Sequence, residues 1–183
     1  MSIYVEKSKK TKKLIQQSFL EILETQSFDT IKISDITNKA NINRGTFYLH
    51  FEDKFDLMDE VRRQLNSKFI AFYKIDRSHR NSRTTVEEMC LHIYTYRTFY
   101  EIEFSNPESV QRLSNELALQ LMRTFEDQDY AIFASYGTLG YLSSWAKNGF
   151  IMTPQEAAEK LLKIGFTDWS MISIRKYEES LFI

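Results

Sequence analysis

At 183 residues the chain suits one or two domains and can bury a sizeable core. Hydrophobic residues make up 43% and charged residues 27%, and the single cysteine, Cys90, excludes an internal disulfide framework. Net charge is −1, but residues 1–50 hold eight Lys/Arg against five Asp/Glu, so a +3 end precedes a −4 remainder. A basic end on an acidic body is the asymmetry of a nucleic-acid-binding segment joined to a separate partner-binding body, with a merely solvated Lys-rich terminus as the alternative.

Only 5 Gly and 2 Pro are present, which favours helices over a turn-rich sheet fold. MSIYVEKSKK has no apolar stretch of the kind a signal peptide needs. No run approaches the ~18 apolar residues of a membrane span. The expectation is a cytoplasmic protein with no membrane partner. No Cys/His cluster has zinc-ligand spacing, and neither metal nor cofactor is expected.

In chain order, residues 8–25 read as a helix with Ile15, Ser18, Phe19, Ile22 and Leu23 on one face. SFDTIKI (27–33) is a tight connection that brings Phe28, Ile31 and Ile33 to the core. Ser34 is the expected N-cap of a short helix, SDITNKA, with Ile36 and Ala40 inward. Asn41 stands where a left-handed residue ends that helix. Asn43 caps the next helix, which runs to about His50. Two short helices joined by a tight turn form a helix-turn-helix.

The second of these helices has an unusual outer face. Advancing 100° per residue from Arg44, Phe47 and Phe51 fall near about 300° and 340°, the inward edge. Arg44, Tyr48, Gly45 and Leu49 fall at about 0°, 40°, 100° and 140°. Gly45 in that arc allows close approach of the backbone to another surface. Leu49 suits a thymine methyl, and Arg44 presents a fork for guanine. Tyr48 and His50 suit phosphate oxygens. The alternative is that Tyr48 and Leu49 pack on a neighbouring helix and Gly45 is a packing contact.

Asp53 caps a longer helix that starts at Lys54, with Leu57, Met58, Val61, Leu65, Phe69 and Phe72 inward. The polar run 74–84 reads as a loop. Residues 85–104 read as one aromatic-rich amphipathic helix. Pro107 opens a helix marked by Val110, Leu113, Leu117, Leu121 and Phe125. Residues 128–148 form the most apolar helix, ended by Gly149. Thr153–Glu156 is a capping box with Pro154 at its first helical position, opening a helix over 154–167. The tail, 170–183, has no clear pattern.

Residues 10–60 resemble the DNA-binding domain of TetR-family transcriptional regulators. The resemblance lies in IxxSFLxIL (15–23), FDxIxIxDI (28–36), AxI (40–42), GTFYxHF (45–51) and KxDL (54–57), whose order and spacing are specific together. Asn41 replaces the glycine usual at the turn, and Leu49 stands where an aromatic residue is common. The segment 133–159 looks like the C-terminal domain of a subgroup common in low-GC Gram-positive bacteria. The resemblance implies an all-α homodimer. Its N-terminal three-helix helix-turn-helix domain binds a palindromic double-stranded DNA operator. Its C-terminal helical domain dimerises and holds an effector pocket. The expected division is 1–52 for DNA binding, 53–73 as connecting helix and 74–183 for dimerisation and ligand binding.

By match to the family motif, Arg44, Thr46, Tyr48, His50 and Lys54 become DNA-contact candidates, with Thr30, Lys32 and Ser34 toward phosphates. Lys54 at a helix start opposes the dipole, so a nearby anion would explain it. Tyr94, Tyr96, Arg97, Phe99, Tyr100 and Phe104 are candidates to line a pocket for an apolar small molecule. Plain core packing is the alternative for them. Ala131, Ala134, Ser135, Gly137, Gly140, Ser143 and Ser144, with Leu161, permit close helix contact within the monomer or across a dimer. Cys90 and His92 do not share a helix face, and no catalytic constellation is legible, so an enzyme is not expected. The leading expectation is a ligand-responsive repressor. The second is a helix-turn-helix adaptor controlled by a partner protein.

Overall fold

The computed structural model describes residues 3–74 and 82–165. Among them are nine helices and no strand, the all-α architecture expected: α1 (Ile3–Leu23), α2 (Ile33–Lys39), α3 (Arg44–Tyr48), α4 (Lys54–Ala71), α5 (Ser82–Thr95), α6 (Arg97–Ser105), α7 (Pro107–Phe125), α8 (Gln128–Lys147) and α9 (Pro154–Gly165). α1 packs on α2 and α2 on α3. α7 and α8 form an antiparallel hairpin, with α6 against α8 and α5 against α9. No described helix is long and apolar enough to cross a membrane. Most of the 74–84 run and the whole 170–183 tail lie outside the described residues.

The helix boundaries follow local chemistry, and two differ from the sequence expectation. Lys32, not Ser34, caps α2: the Asp35 carboxylate accepts the Lys32 N–H at 2.8 Å, and Ser34 lies inside the first turn. An acid three residues into a helix satisfies the cap from within, which the serine had masked. The expected helix over 85–104 breaks at Tyr96, where φ/ψ is −109°/33°. No Gly or Pro marks the spot. Thr95 Oγ1 donates to the Leu91 carbonyl at 2.8 Å one residue before the break. Asn41 is left-handed with φ 51°, and Gly149 and Phe150 end α8 with φ 67° and 52°. Phe150 holds this conformation with its ring 4.9 Å from that of the buried Trp145.

α4 joins the helix-turn-helix to the body through polar ties. Lys12 of α1 meets the nearly buried Glu60 at 2.8 Å, and Glu60 also accepts from Gln64 and Arg63. On another face, Arg62 Nε donates to the buried Glu103 of α6 at 2.7 Å, with Asn66 Nδ2 at 3.4 Å from the second oxygen. His92 and Tyr100 converge on the Leu65 carbonyl, each at 3.2 Å, and lie 3.0 Å apart.

These ties carry a pH consequence. Burial is the main cause lowering both His92 and His50 below the usual 6.5, with nearby Lys68 and Lys12 acting in the same direction. The Leu65 carbonyl partly opposes the shift at His92. Above 6.5 both histidines are neutral folded or unfolded and contribute nothing. Below it the unfolded chain takes up protons first, so stability falls with pH. The denaturation midpoint is expected to hold from pH 8 to about 6.5 and then decline. His92→Gln should flatten the decline. An unchanged decline in that variant would remove His92 from the account.

Candidate nucleic-acid interface

α3 is five residues long and takes its shape from its neighbours. Asn43 Oδ1 accepts from Thr46 N at 2.7 Å and from Thr46 Oγ1 at 3.0 Å. Phe47 is fully buried and Phe51 nearly so, their rings 5.8 Å apart. The opposite face is open: Leu49 is 81% and Tyr48 54% exposed, and Arg44 and Gly45 are exposed beside them. Among the described residues no neighbouring helix covers Leu49, and Tyr48 is more than half open. A short helix that ends in an 81%-exposed leucine beside an arginine is poorly made for water and well made for a groove.

Other expected contacts find different employment. A Cβ on Gly45 would lie 3.3 Å from Asn43 Oδ1, so the glycine also clears room for the cap. The Thr46 hydroxyl proton goes to that cap, and the Thr30 hydroxyl donates to Ser27 O at 2.9 Å. Both remain acceptors rather than free donors to phosphate. Lys32 is exposed at the start of α2 and Ser34 half-buried.

Lys54 is the clearest correction. Its ammonium donates to the carbonyls of Phe28, Asp29 and Ile31 at 2.9, 2.9 and 3.0 Å. It lies over the rings of Phe28 at 4.9 Å and Phe55 at 5.5 Å. An ammonium has three protons, and here all three have carbonyl acceptors. The negative ends of the α1–α2 connection, not a phosphate, offset its place at a helix start. His50 sits at the edge of this face with its pKa lowered by burial and then by Lys12.

The residues expected around a ligand do not form one wall. Phe99, Tyr100 and Phe104 are buried and pack on one another, ring centroids 5.1 and 5.3 Å apart. Tyr94 faces elsewhere, stacked on Trp145 at 6.3 Å, with Arg97 over its outer side. Tyr96 sits at the break and meets His92 at 5.2 Å. The small residues of α8 also divide. Ala131, Ser135 and Ser143 are buried within the chain, the contact inside the monomer that the sequence left open for them. Gly137, Gly140 and Ser144 are exposed on one stripe with Phe133, and Ala134 and Leu161 are half-buried. Cys90 is buried and burial pushes its thiol up to about 12, which removes it as a nucleophile. No group of His, Cys, Asp or Glu among the described residues is placed to hold a metal.

Sequence reasoning missed the ties of α4 to Lys12 and Glu103. The signal was present: Glu103 falls on the same helix face as Phe99 and Tyr100, where a carboxylate needs a buried partner.

Residues 20–61 match the family model described as bacterial regulatory proteins, tetR family. The HTH-type transcriptional regulator YxbF of Bacillus subtilis is 21% identical over 178 residues, 89% of this chain and 45% of that protein. The dhaKLM operon transcriptional activator DhaS of Lactococcus lactis is 33% identical over 57 residues, 31% of this chain and 30% of that protein. The chain thus spans less than half the length of these relatives. A crystal structure of a transcriptional regulator (TerR/AcrR family) from Aquifex aeolicus shares the fold, with a TM-score of 0.66 at 19% identity over 85% of this chain and 99% of that one. The matched segment runs from within α1 into α4 and contains the open face of α3, so the N-terminal helices are similar to the helix-turn-helix DNA-binding domain of tetR-family regulatory proteins.

Proposed function

We propose that the chain is a transcriptional repressor that binds a palindromic operator as a homodimer, with α3 in the major groove. The observation that carries this is the exposure of Leu49 and Tyr48 on a capped helix whose opposite side is fully buried. In this reading Arg44 and Leu49 read bases over the span of Gly45, while Tyr48, His50, Lys32 and Ser34 face phosphates. One such helix buries too little surface for tight specific binding, which calls for two half-sites about one helical turn, ~34–36 Å, apart. Selection of bound duplexes from a random pool tests it. A two-fold repeat is expected, and an unenriched pool would end the proposal. Arg44→Ala should relax one base position per half-site at a loss of about 1–3 kcal/mol.

The dimer face in this reading is the outward stripe of α8, Phe133, Gly137, Gly140 and Ser144, with Leu161 of α9 nearby. A Cβ at Gly137 or Gly140 would meet nothing within 4 Å, so the monomer itself has no use for their bareness. Close approach of a second helix does. Glutamates at both positions should leave the monomer folded, abolish dimers in sedimentation at micromolar concentration and weaken operator binding at least tenfold. A dimeric variant with unchanged affinity would move the interface elsewhere.

The effector in this reading is an apolar small molecule entering between α5, α6 and α8. It would part the Tyr94 and Tyr100 ring groups at the Tyr96 break. A thermal-shift screen of hydrophobic compounds, with each hit then assayed on operator DNA, tests this. A second reading, control by a partner protein, is favoured by a surface feature. Leu119, Met122 and Phe125 of α7 and Tyr130 and Phe133 of α8 are all exposed, and apolar surface of that extent marks interaction sites. Screening hits that stabilise the chain and lower DNA affinity uphold the small molecule. A partner that changes DNA binding while no compound does so upholds the adaptor.

A further inference from the structure

α1 begins well before it meets the rest of the chain. Residues 5–10 are exposed on every face of the helix, and the first fully buried side chain is Ile15. This stretch carries Lys7, Lys9 and Lys10, followed by Lys12 and Lys13, against the lone acid Glu6. The Lys10–Glu6 pair, at 3.2 Å, is open to water and worth little. A helix of this length is marginal without packing, and repulsion among its lysines adds to the cost. Nothing among the described residues offsets it.

Its position is fixed at Lys12. The Lys12 ammonium lies 5.6 Å from the centre of the Phe51 ring, next in sequence to His50, and its field lowers the His50 pKa. α1 therefore leaves the core beside the C-terminal end of the helix-turn-helix. The exposed lysines Lys7, Lys9 and Lys10 extend from this edge as a cationic stretch of helix. We propose that the exposed start of α1 is a phosphate-binding arm that grips duplex DNA outside each half-site. This rests on the DNA-binding reading and extends it beyond the recognition helix. The eight residue-to-residue steps from Thr11 back to Ile3 span about 12 Å of helix, or three to four base pairs at ~3.4 Å each. A membrane surface fits less well, since residues 6–13, EKSKKTKK, hold no apolar side chain to insert beside the lysines.

The test uses the full chain and a variant in which Lys7, Lys9, Lys10 and Lys13 are glutamine, a substitution that keeps helix propensity and leaves Lys12 on Glu60. Both are titrated with salt on a mixed-sequence duplex and on a selected operator with and without flanking base pairs. Each phosphate contact contributes about 0.9 to the log–log salt slope, so the variant slope should be shallower by about two to four per bound subunit. Base preference and thermal midpoint should be unchanged. The wild type alone should lose affinity when about four flanking base pairs are removed. An unchanged slope in a variant that binds overturns the arm and leaves the helix-turn-helix reading standing. Altered base preference overturns it too. If anionic vesicles retain the wild type but not the variant while duplex binding is equal, the arm belongs to membranes and the proposal fails. If the wild type binds no duplex, both readings fall together.

Discussion

An Arg62→Leu chain is expected to lose about 3–5 kcal/mol of stability, the usual consequence of leaving one member of a buried ion pair alone. Glu103 is 2% exposed, and with Arg62 gone its carboxylate keeps only the long 3.4 Å bond from Asn66. The reverse change should cost less. The Arg62 side chain is 26% exposed and also reaches Asp59, so in a Glu103→Leu chain it turns toward water and keeps a partner. Urea denaturation of the two variants and the double variant settles the order. The double variant should recover much of the loss, because two well-packed leucines leave no buried charge. Equal losses from the two single changes would show that Glu103 is reached by water.

Lys54→Met should destabilise the chain by about 3 kcal/mol, an order-of-magnitude figure from charge-assisted hydrogen bonds at about 1.5–3 kcal/mol each, lowered because water enters the exposed side. The three carbonyls it holds belong to the connection that sets α2 relative to α1. Thermal melting reads the loss. At a temperature where the variant stays folded, the slope of DNA affinity against salt should match that of the wild type. A slope shallower by about one unit per subunit would mean that the ammonium faces phosphate after all.

Much of the fold was legible because periodicity and caps agree. Asn43 and Asp53 cap the helices expected of them, and Pro107 opens α7 where expected. The open face of α3 was legible for the same reason: a 100° step separates Phe47 from Leu49 whatever surrounds them. What escaped depends on contacts between distant residues. Lys54 has the same place in sequence whether it meets phosphate or three carbonyls, and only the fold brings Phe28 to it. The break at Tyr96 escaped because no glycine or proline marks it. The split of the α8 small residues depends on which side of that helix its neighbours occupy. A wheel alone does not say so when both sides are small.

The shortness of α3 bears on rates. Five residues cannot hold a helix in water, so the reading face exists only while Asn43, Phe47 and Phe51 hold it from behind. An excised segment would have no such face, and binding by the whole chain involves no folding step. Association should then be limited by diffusion, charge steering and orientation, and should vary little among DNA sequences. Discrimination between a right and a wrong site would be carried by how long each complex lasts.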